Sequence, residues 1–466
     1  MRPPASEALV AGYPLWRRLA AMVRGDLKEV YARDLRKWLL IAPLVGVATG
    51  LAITAIAVVI LRELWPVVLG FYLKHWWAVV PGLVLGCGVA GALMQFCTPD
   101  PDEHSTEEVI RAYHDHEGRM DTRWFVPKIL AAIATVGMGG SAALEGPSIY
   151  GGGAIGSWMW RHFAIREGSR GVRILRKLRL DDRERRILLI CGAAAGMSAV
   201  FRAPLTGIVF ALEMPYRDDL AHEALVPSLI ASVVAFVTLG AFLGTAPLFD
   251  FQGSTTFTNT DVYWSALLGL LIGLAAVAFT VLFRRTRRLW IDWRWPHWAK
   301  LATGGLLTGL CGLGFLLLYP GNLTPLGPNY EAVDMILNGH HGSQQLVIFS
   351  AFKLAATLFT LAAGGVSAMF VPLFLTGGSL GTAFAQSVVH TSATGLFAAV
   401  GMASFLSAGY KTPLAAVVFV AEATGGHAFI VPALIGAAVA YAVSGDASAS
   451  GEQRLHEGER VREFEA

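Results

Sequence analysis

The chain has 466 residues, 54% of them hydrophobic and only 15% charged, with a net charge of +3. Its mean hydropathy of +0.53 excludes an ordinary soluble globular protein, and the small net charge by itself points to no partner.

Residues 1–37 are polar and amphipathic and carry Arg17, Arg18, Arg24, Lys28, Arg33, Arg36 and Lys37. They lack the short apolar core and small-residue cleavage site of a signal peptide, so they are expected to form a cytoplasmic N-terminal segment. Apolar stretches follow at 38–61, 77–97, 125–160, 187–215, 223–248, 262–283, 301–319, 346–387, 393–421 and 428–443. Several are long enough to span a bilayer, which takes about 20 helical residues for a core of roughly 30 Å. Others are short or interrupted by glycine and proline. The chain therefore reads as an all-α polytopic membrane protein with one transmembrane domain, 38–443, in halves of about 38–245 and 262–443. Residues 444–466 are expected to form a short polar cytoplasmic tail without a regulatory domain.

Basic residues also cluster at 161–186 and 284–300, and the positive-inside rule puts these segments and both termini on the cytoplasmic face. Topology explains the clusters better than nucleic-acid or headgroup recognition. Trp290, Trp293, Trp295 and Trp298 beside the last cluster form an interfacial belt. Cys87, Cys97, Cys191 and Cys311 show neither ligand spacing nor a disulfide framework.

One carboxylate stands out. Glu145 lies in the glycine-rich apolar run 137–153, and an ionisable group at membrane depth is costly enough to count as a functional candidate. Gly146-Pro147 signals a helix start, since proline at the first helical position gives up only an N–H that would be unpaired anyway. Free N–H groups and the positive end of a helix dipole at such a start bind anions.

An internal repeat organises the chain. Residues 127–156 align without a gap on 352–381, matching Lys128 with Lys353, Thr135 with Thr360, Gly139-Gly140 with Gly364-Gly365 and Pro147 with Pro372. Glu145 falls opposite Phe370. A second pair, 204–213 and 413–422, begins at Pro204 and Pro413 and ends at Glu213 and Glu422. Glycine- and proline-broken segments at corresponding positions in two halves indicate a transporter-like site near the midplane.

These residues resemble the CLC family of chloride channels and proton/chloride antiporters. Leu144-Glu145-Gly146-Pro147 is similar to its G-x-E-G-P signature, with Ala143 for the first glycine. The stretch from Gly192 to Glu213 resembles its G-A-A-A-G…F-x-A-P-L-x-G…E segment, and Met369-Phe370-Val371-Pro372 its G-x-F-x-P motif, with Ala368 for the glycine. The resemblance spans roughly 35–445 and implies a CLC-like fold of two inverted repeats with about eighteen tilted and partial helices. It also implies a homodimer with one pore per subunit, in a bacterial inner membrane. Amides near Gly146-Pro147 and Met369-Phe370 would bind the anion. Glu145 would be the gate, occupying an anion position when ionised and swinging out when protonated.

Three departures bear on mechanism. The first filter motif is degraded to His104-Ser105-Thr106-Glu107-Glu108, where Ser105 is either a pore hydroxyl or the N-cap of a capping box closed by Glu108. Met214 stands at the internal-glutamate position of coupled antiporters and cannot relay a proton, which favours passive or weakly coupled conduction; Glu213 is read as a helix-end contact. The pore tyrosine near the C-terminus is absent; Ser450 takes its place in an S-x-Y-x-x-Q-like stretch or belongs to a flexible tail, and in the first case the inner constriction is less bulky. Lys128 and Lys353 either raise the anion potential of the pore or serve packing.

No metal site is expected: His114, His116, His340 and His341 read as loop histidines, and 100–108 lacks a calcium-loop pattern. Gly151-Gly152-Gly153 is not a phosphate loop. The expected function is passive or weakly coupled transport of chloride or similar monovalent anions, gated by Glu145, with proton-coupled antiport as the alternative. An intramembrane enzyme is a remote third, because the aligned segments hold no Ser/His pair. Chloride is the expected transported ligand, lipid and possibly protons are partners, and neither cofactor nor nucleic acid is implied.

Overall fold

The structure, a computed structural model, describes residues 32–102, 105–163, 180, 182–246, 248–249, 257–330, 332–333, 336, 341–424 and 429–455. The N-terminal segment before Ala32, most of the 161–186 basic cluster, His104, His340 and the last residues of the tail lie outside the described residues.

The described chain is helical, with two isolated β-bridges in place of any sheet. In order, the helices are α1 (Ala32–Ala57), α2 (Trp65–Lys74), α3 (Val79–Cys97), α4 (Ser105–His114), α5 (Phe125–Gly137), α6 (Glu145–Phe163), α7 (Asp182–Phe201) and α8 (Pro204–Glu213). There follow α9 (Leu225–Leu243), α10 (Asn259–Asp292), α11 (His297–Leu318), α12 (Ser343–Ala362), α13 (Phe370–Phe384), α14 (Thr394–Tyr410), α15 (Pro413–Thr424) and α16 (Ile430–Ser444). A π-helical turn, Val58–Leu64, joins α1 to α2, so Leu35–Lys74 runs as one span. Six helical stretches among the described residues are long and apolar enough to cross a membrane.

Four apolar stretches of the sequence are instead broken into helix pairs: α5/α6, α7/α8, α12/α13 and α14/α15. Glycine and proline set the breaks. After α5, Gly139 takes φ 105° and Gly140 donates to the Thr135 carbonyl at 2.9 Å. After α12, its repeat mate Gly364 takes φ 102° and Gly365 donates to Thr360 at 3.0 Å. A side chain would be strained at either left-handed position. Pro147, Pro372, Pro204 and Pro413 then lie in the first turns of the helices that follow.

The halves meet where these breaks face each other. Ala143 and Ala368 form an antiparallel bridge, Ala143 N–H donating to the Ala368 carbonyl at 3.0 Å. Ser141 N–H donates to Thr360 Oγ1 at 3.2 Å, and Ser141 Oγ lies 2.9 Å from Thr357 Oγ1. Glycines let the short helices approach. A Cβ on Gly192 of α7 would sit 2.0 Å from the Gly152 carbonyl of α6, and one on Gly401 of α14 would sit 2.1 Å from the Gly377 carbonyl of α13. Helix backbones in contact at matching points hold the α6 and α13 N-termini in place without large side chains between them.

Glu213 and Glu422 lock the second pair of breaks. Glu213 accepts from Leu414 N–H at 3.1 Å and Ala415 N–H at 2.8 Å; Glu422 accepts from Leu205 N–H at 2.9 Å and Thr206 N–H at 2.7 Å. Each carboxylate lies in the last turn of one short helix and caps the start of the other, where it meets the positive end of that helix's dipole.

The polar tail is ordered further than expected. Ser448, Ser450 and Gln453 are buried, Tyr216 and Arg454 form a parallel bridge, and Arg217 N–H donates to the Arg454 carbonyl at 2.8 Å. Gln453 is the reason: its Nε2 donates to the carbonyls of Met214 at 3.2 Å and Tyr410 at 2.9 Å, satisfying carbonyls at two helix ends. Residues 445–455 thus belong to the membrane domain's packed body.

Candidate functional site

Glu145 is the first residue of α6 and is wholly buried. Its Oε1 accepts a hydrogen bond of 2.6 Å from the backbone N–H of Phe370, the first residue of α13. The residue that the repeat aligned with Glu145 is therefore the one that binds it. The second oxygen, Oε2, has no hydrogen-bond partner among the described residues. A buried carboxylate held by one N–H at a helix start is well placed for an exchangeable anion mimic, because a free anion can take the same donor.

The neighbouring N–H, that of Met369, donates to Tyr410 Oη at 3.0 Å. Tyr410 ends α14 and is buried, with its ring 5.9 Å from those of Phe370 and Phe210. Phe370 is wedged further by Phe201 at 5.3 Å and Phe419 at 4.9 Å. This aromatic cluster fixes the start of α13, so its two leading N–H groups point at protein oxygens, one carboxylate and one hydroxyl.

Below Tyr410 lies a narrow cavity of about 50 Å3, whose walls include Ser105, Met369, Tyr410 and Ser450. Ser105, at the start of α4, is thus one of the cavity's lining residues. Its φ of 63° is not the extended backbone of an N-cap, and Glu108 Oε2 is bound to Lys128 Nζ at 2.5 Å, so the helix start departs from an ordinary capping box. Ser450 Oγ is buried beside the same cavity without a hydrogen-bond partner among the described residues.

Ser450 and Tyr410 both line this cavity. A tyrosine hydroxyl is present, supplied by α14 rather than by the C-terminal segment. The signal was in the repeat: extended three residues before Pro204 and Pro413, it pairs Phe201 with Tyr410 and Arg202 with Lys411. Arg202 and Lys411 share a left-handed backbone, with φ 52° and 58°. Tyr410 thus differs from its mate by one hydroxyl, placed on Met369.

The other candidates separate from this site. Gly146 packs so closely that a Cβ would lie 2.8 Å from the Ser367 carbonyl carbon, and Pro147 has no N–H to offer. Met214 is buried, its N–H bonded to the Phe210 carbonyl at 2.8 Å. Lys128, besides pairing with Glu108, lies 5.3 Å over the Tyr150 ring and lines a separate open cavity of about 850 Å3 with Arg161 and Arg185. Lys353 is wholly buried and donates to the Gly327 carbonyl at 2.9 Å and the Pro325 carbonyl at 3.2 Å, so it ties the segment after α11 to α12. Neither lysine lines the cavity under Tyr410. Among the described residues no group of three or more His, Cys, Asp or Glu is arranged for a metal ion.

The family described as voltage gated chloride channel matches residues 85–445. A relative named H(+)/Cl(-) exchange transporter ClcA, from Yersinia pestis bv. Antiqua (strain Angola), is 29% identical over 335 residues, covering 68% of this chain and 66% of its own length. The chain thus spans about two thirds of that relative. Among solved structures, a CLC-type fluoride/proton antiporter superposes with a TM-score of 0.75 at 23% identity, covering 90% of this chain and 98% of that one. A slow cyanobacterial Cl-/H+ antiporter superposes with a TM-score of 0.72 at 21% identity, covering 88% and 94%. At these identities the superpositions establish the fold, with its inverted halves and broken helices. With a family match over most of the chain, and with the glutamate, proline-led helices and paired breaks in place, the protein belongs to the voltage gated chloride channel family, the CLC anion-transport proteins.

Proposed function

We propose that this protein carries chloride and similar monovalent anions across a bacterial inner membrane, with Glu145 as the outer gate. The observation that carries the reading is the 2.6 Å bond from Phe370 N–H to Glu145 Oε1 at the start of α13. Ionised Glu145 holds the donor that an anion needs. An anion arriving from below, past Ser105, Ser450 and Tyr410, competes for it, and the hydroxyl on Met369 N–H marks a second binding level. Protonation removes the charge that the helix start attracts, so the neutral side chain leaves and the path opens. Backbone donors suit transport because they replace hydration without the tight hold of a fixed lysine or arginine.

Orientation is supported by ion pairs among the basic regions. Lys37 at the start of α1 pairs with Glu184 at the start of α7, and Arg454 of the C-terminal segment pairs with Asp115. These contacts favour one cytoplasmic face carrying both chain ends, and the subunit works as one half of a homodimer.

Met214 favours passive or weakly coupled conduction, since the internal-glutamate position carries no acid. Proton-coupled exchange is the second reading, favoured by the relative named as an exchange transporter. Purified protein in liposomes, followed with chloride and pH electrodes, separates the two. Under the passive reading a chloride gradient drives chloride but no uphill proton movement; uphill proton pumping rejects it.

A further inference from the structure

The cavity under Tyr410 reaches the basic stretch of α10 at Arg287. Outside it lies a wider cavity of about 320 Å3, and the two share walls formed by Glu107, Phe283, Arg287 and Ala449. Across that partition Arg287 Nη1 of α10 lies 3.2 Å from Glu107 Oε2 and 3.3 Å from Oε1. Glu107 is in the first turn of α4, two residues after Ser105, so the pair sits directly beneath the proposed anion path.

The neighbouring charges are committed elsewhere. Arg111, one turn along α4, donates to Glu452 at 2.8 Å, and Arg284, one turn before Arg287 on α10, donates to the Ser448 carbonyl at 2.6 Å. Asp100 and Asp102, on the segment leading into α4, line the wider cavity, and Tyr410 lines the inner one. Among the described residues Arg287 is bonded to Glu107. Both side chains are about a quarter exposed, at 27% and 26%, so the pair is wetted and weakly held. It repeats the logic of Glu145 and Phe370: a protein carboxylate sits on the donor an entering anion would use.

We infer that Glu107 and Arg287 form an inner gate, in which Glu107 competes with incoming monovalent anions for Arg287 and releases it on protonation from the wider cavity. This rests on the anion path proposed above. Glu107 is then the inner proton-accepting group of a chain that has methionine at position 214. The proton moves between water and the carboxylate, and the anion exchanges one hydrogen-bond partner for another, so no other reactant is needed.

Excised inside-out patches from giant spheroplasts expressing the protein keep one orientation and allow separate pH control on each side. With Glu145→Gln as background, acidifying the cytoplasmic bath raises the chloride current, by up to about tenfold per pH unit while a single carboxyl is mostly ionised. Adding Glu107→Gln gives high current already at neutral bath pH and abolishes that dependence, whereas Glu107→Asp retains it. Arg287→Gln lowers the apparent affinity for bath chloride. The inner gate is overturned if bath-pH dependence is the same with and without Glu107→Gln, or if Glu145→Gln shows no bath-pH dependence. Failure of the outer-gate reading is read on the opposite side, as acid activation from the pipette that survives Glu145→Gln.

Discussion

At the scale of single residues, Glu145 and Tyr410 divide the two leading N–H groups of α13 between them. A carboxylate held by one N–H, with its other oxygen unpaired, is a replaceable ligand. Glu145→Gln or Glu145→Ala should therefore give chloride flux independent of external pH; variants as acid-activated as the parent would disprove the gate. Tyr410→Phe should keep the ring contacts with Phe370 and Phe210 while deleting the hydroxyl on Met369. We expect chloride binding, measured by titration calorimetry in detergent, to weaken about tenfold, as a lost polar contact worth ~1.5 kcal/mol requires. Unchanged affinity would remove Tyr410 from the anion path. Glu145 was legible from sequence because its cost at membrane depth is local. Tyr410 was not, since an aromatic at a helix end looks like packing until its hydroxyl has a partner.

At the scale of elements, broken helices are positioned by close backbone contact and by caps exchanged between the halves. Gly192→Ala would drive a Cβ into the Gly152 carbonyl, so it should lower stability by about 1–3 kcal/mol or more, read as a fall in thermal midpoint in detergent. The matching Gly401→Ala should do the same, and stability equal to the parent's in both would show that α6/α7 and α13/α14 have room to spare. Glu422→Ala leaves Leu205 and Thr206 N–H groups without their cap and should cost roughly 1–2 kcal/mol. Because Glu213 and Glu422 serve separate helix starts, the double substitution tests whether the costs add. The repeat, its glycines and its prolines were all visible in the sequence. What they left open was which helix each glutamate caps, since that depends on how the inverted halves pack.

At the scale of the whole molecule, the C-terminal segment packs against the helix ends that border the candidate site. Gln453 donates to the carbonyls of Met214 and Tyr410, and Ser450 lines the same cavity as Ser105. Truncation before Ser448 should therefore open the inner cavity and raise chloride leak at neutral pH; a flux equal to the parent's would make the segment a mere tail. Composition, hydropathy and the internal repeat by themselves determined a polytopic helical protein of two related halves with a buried carboxylate at a helix start, because burial cost, helix breaking and backbone donors are local properties. Only the tertiary structure decided that Glu145 binds the opposite half's Phe370 N–H, that α14 supplies the tyrosine, and that Glu107 meets Arg287. Those choices depend on contacts between segments far apart in the chain, where many pairings share the same local chemistry and packing selects one.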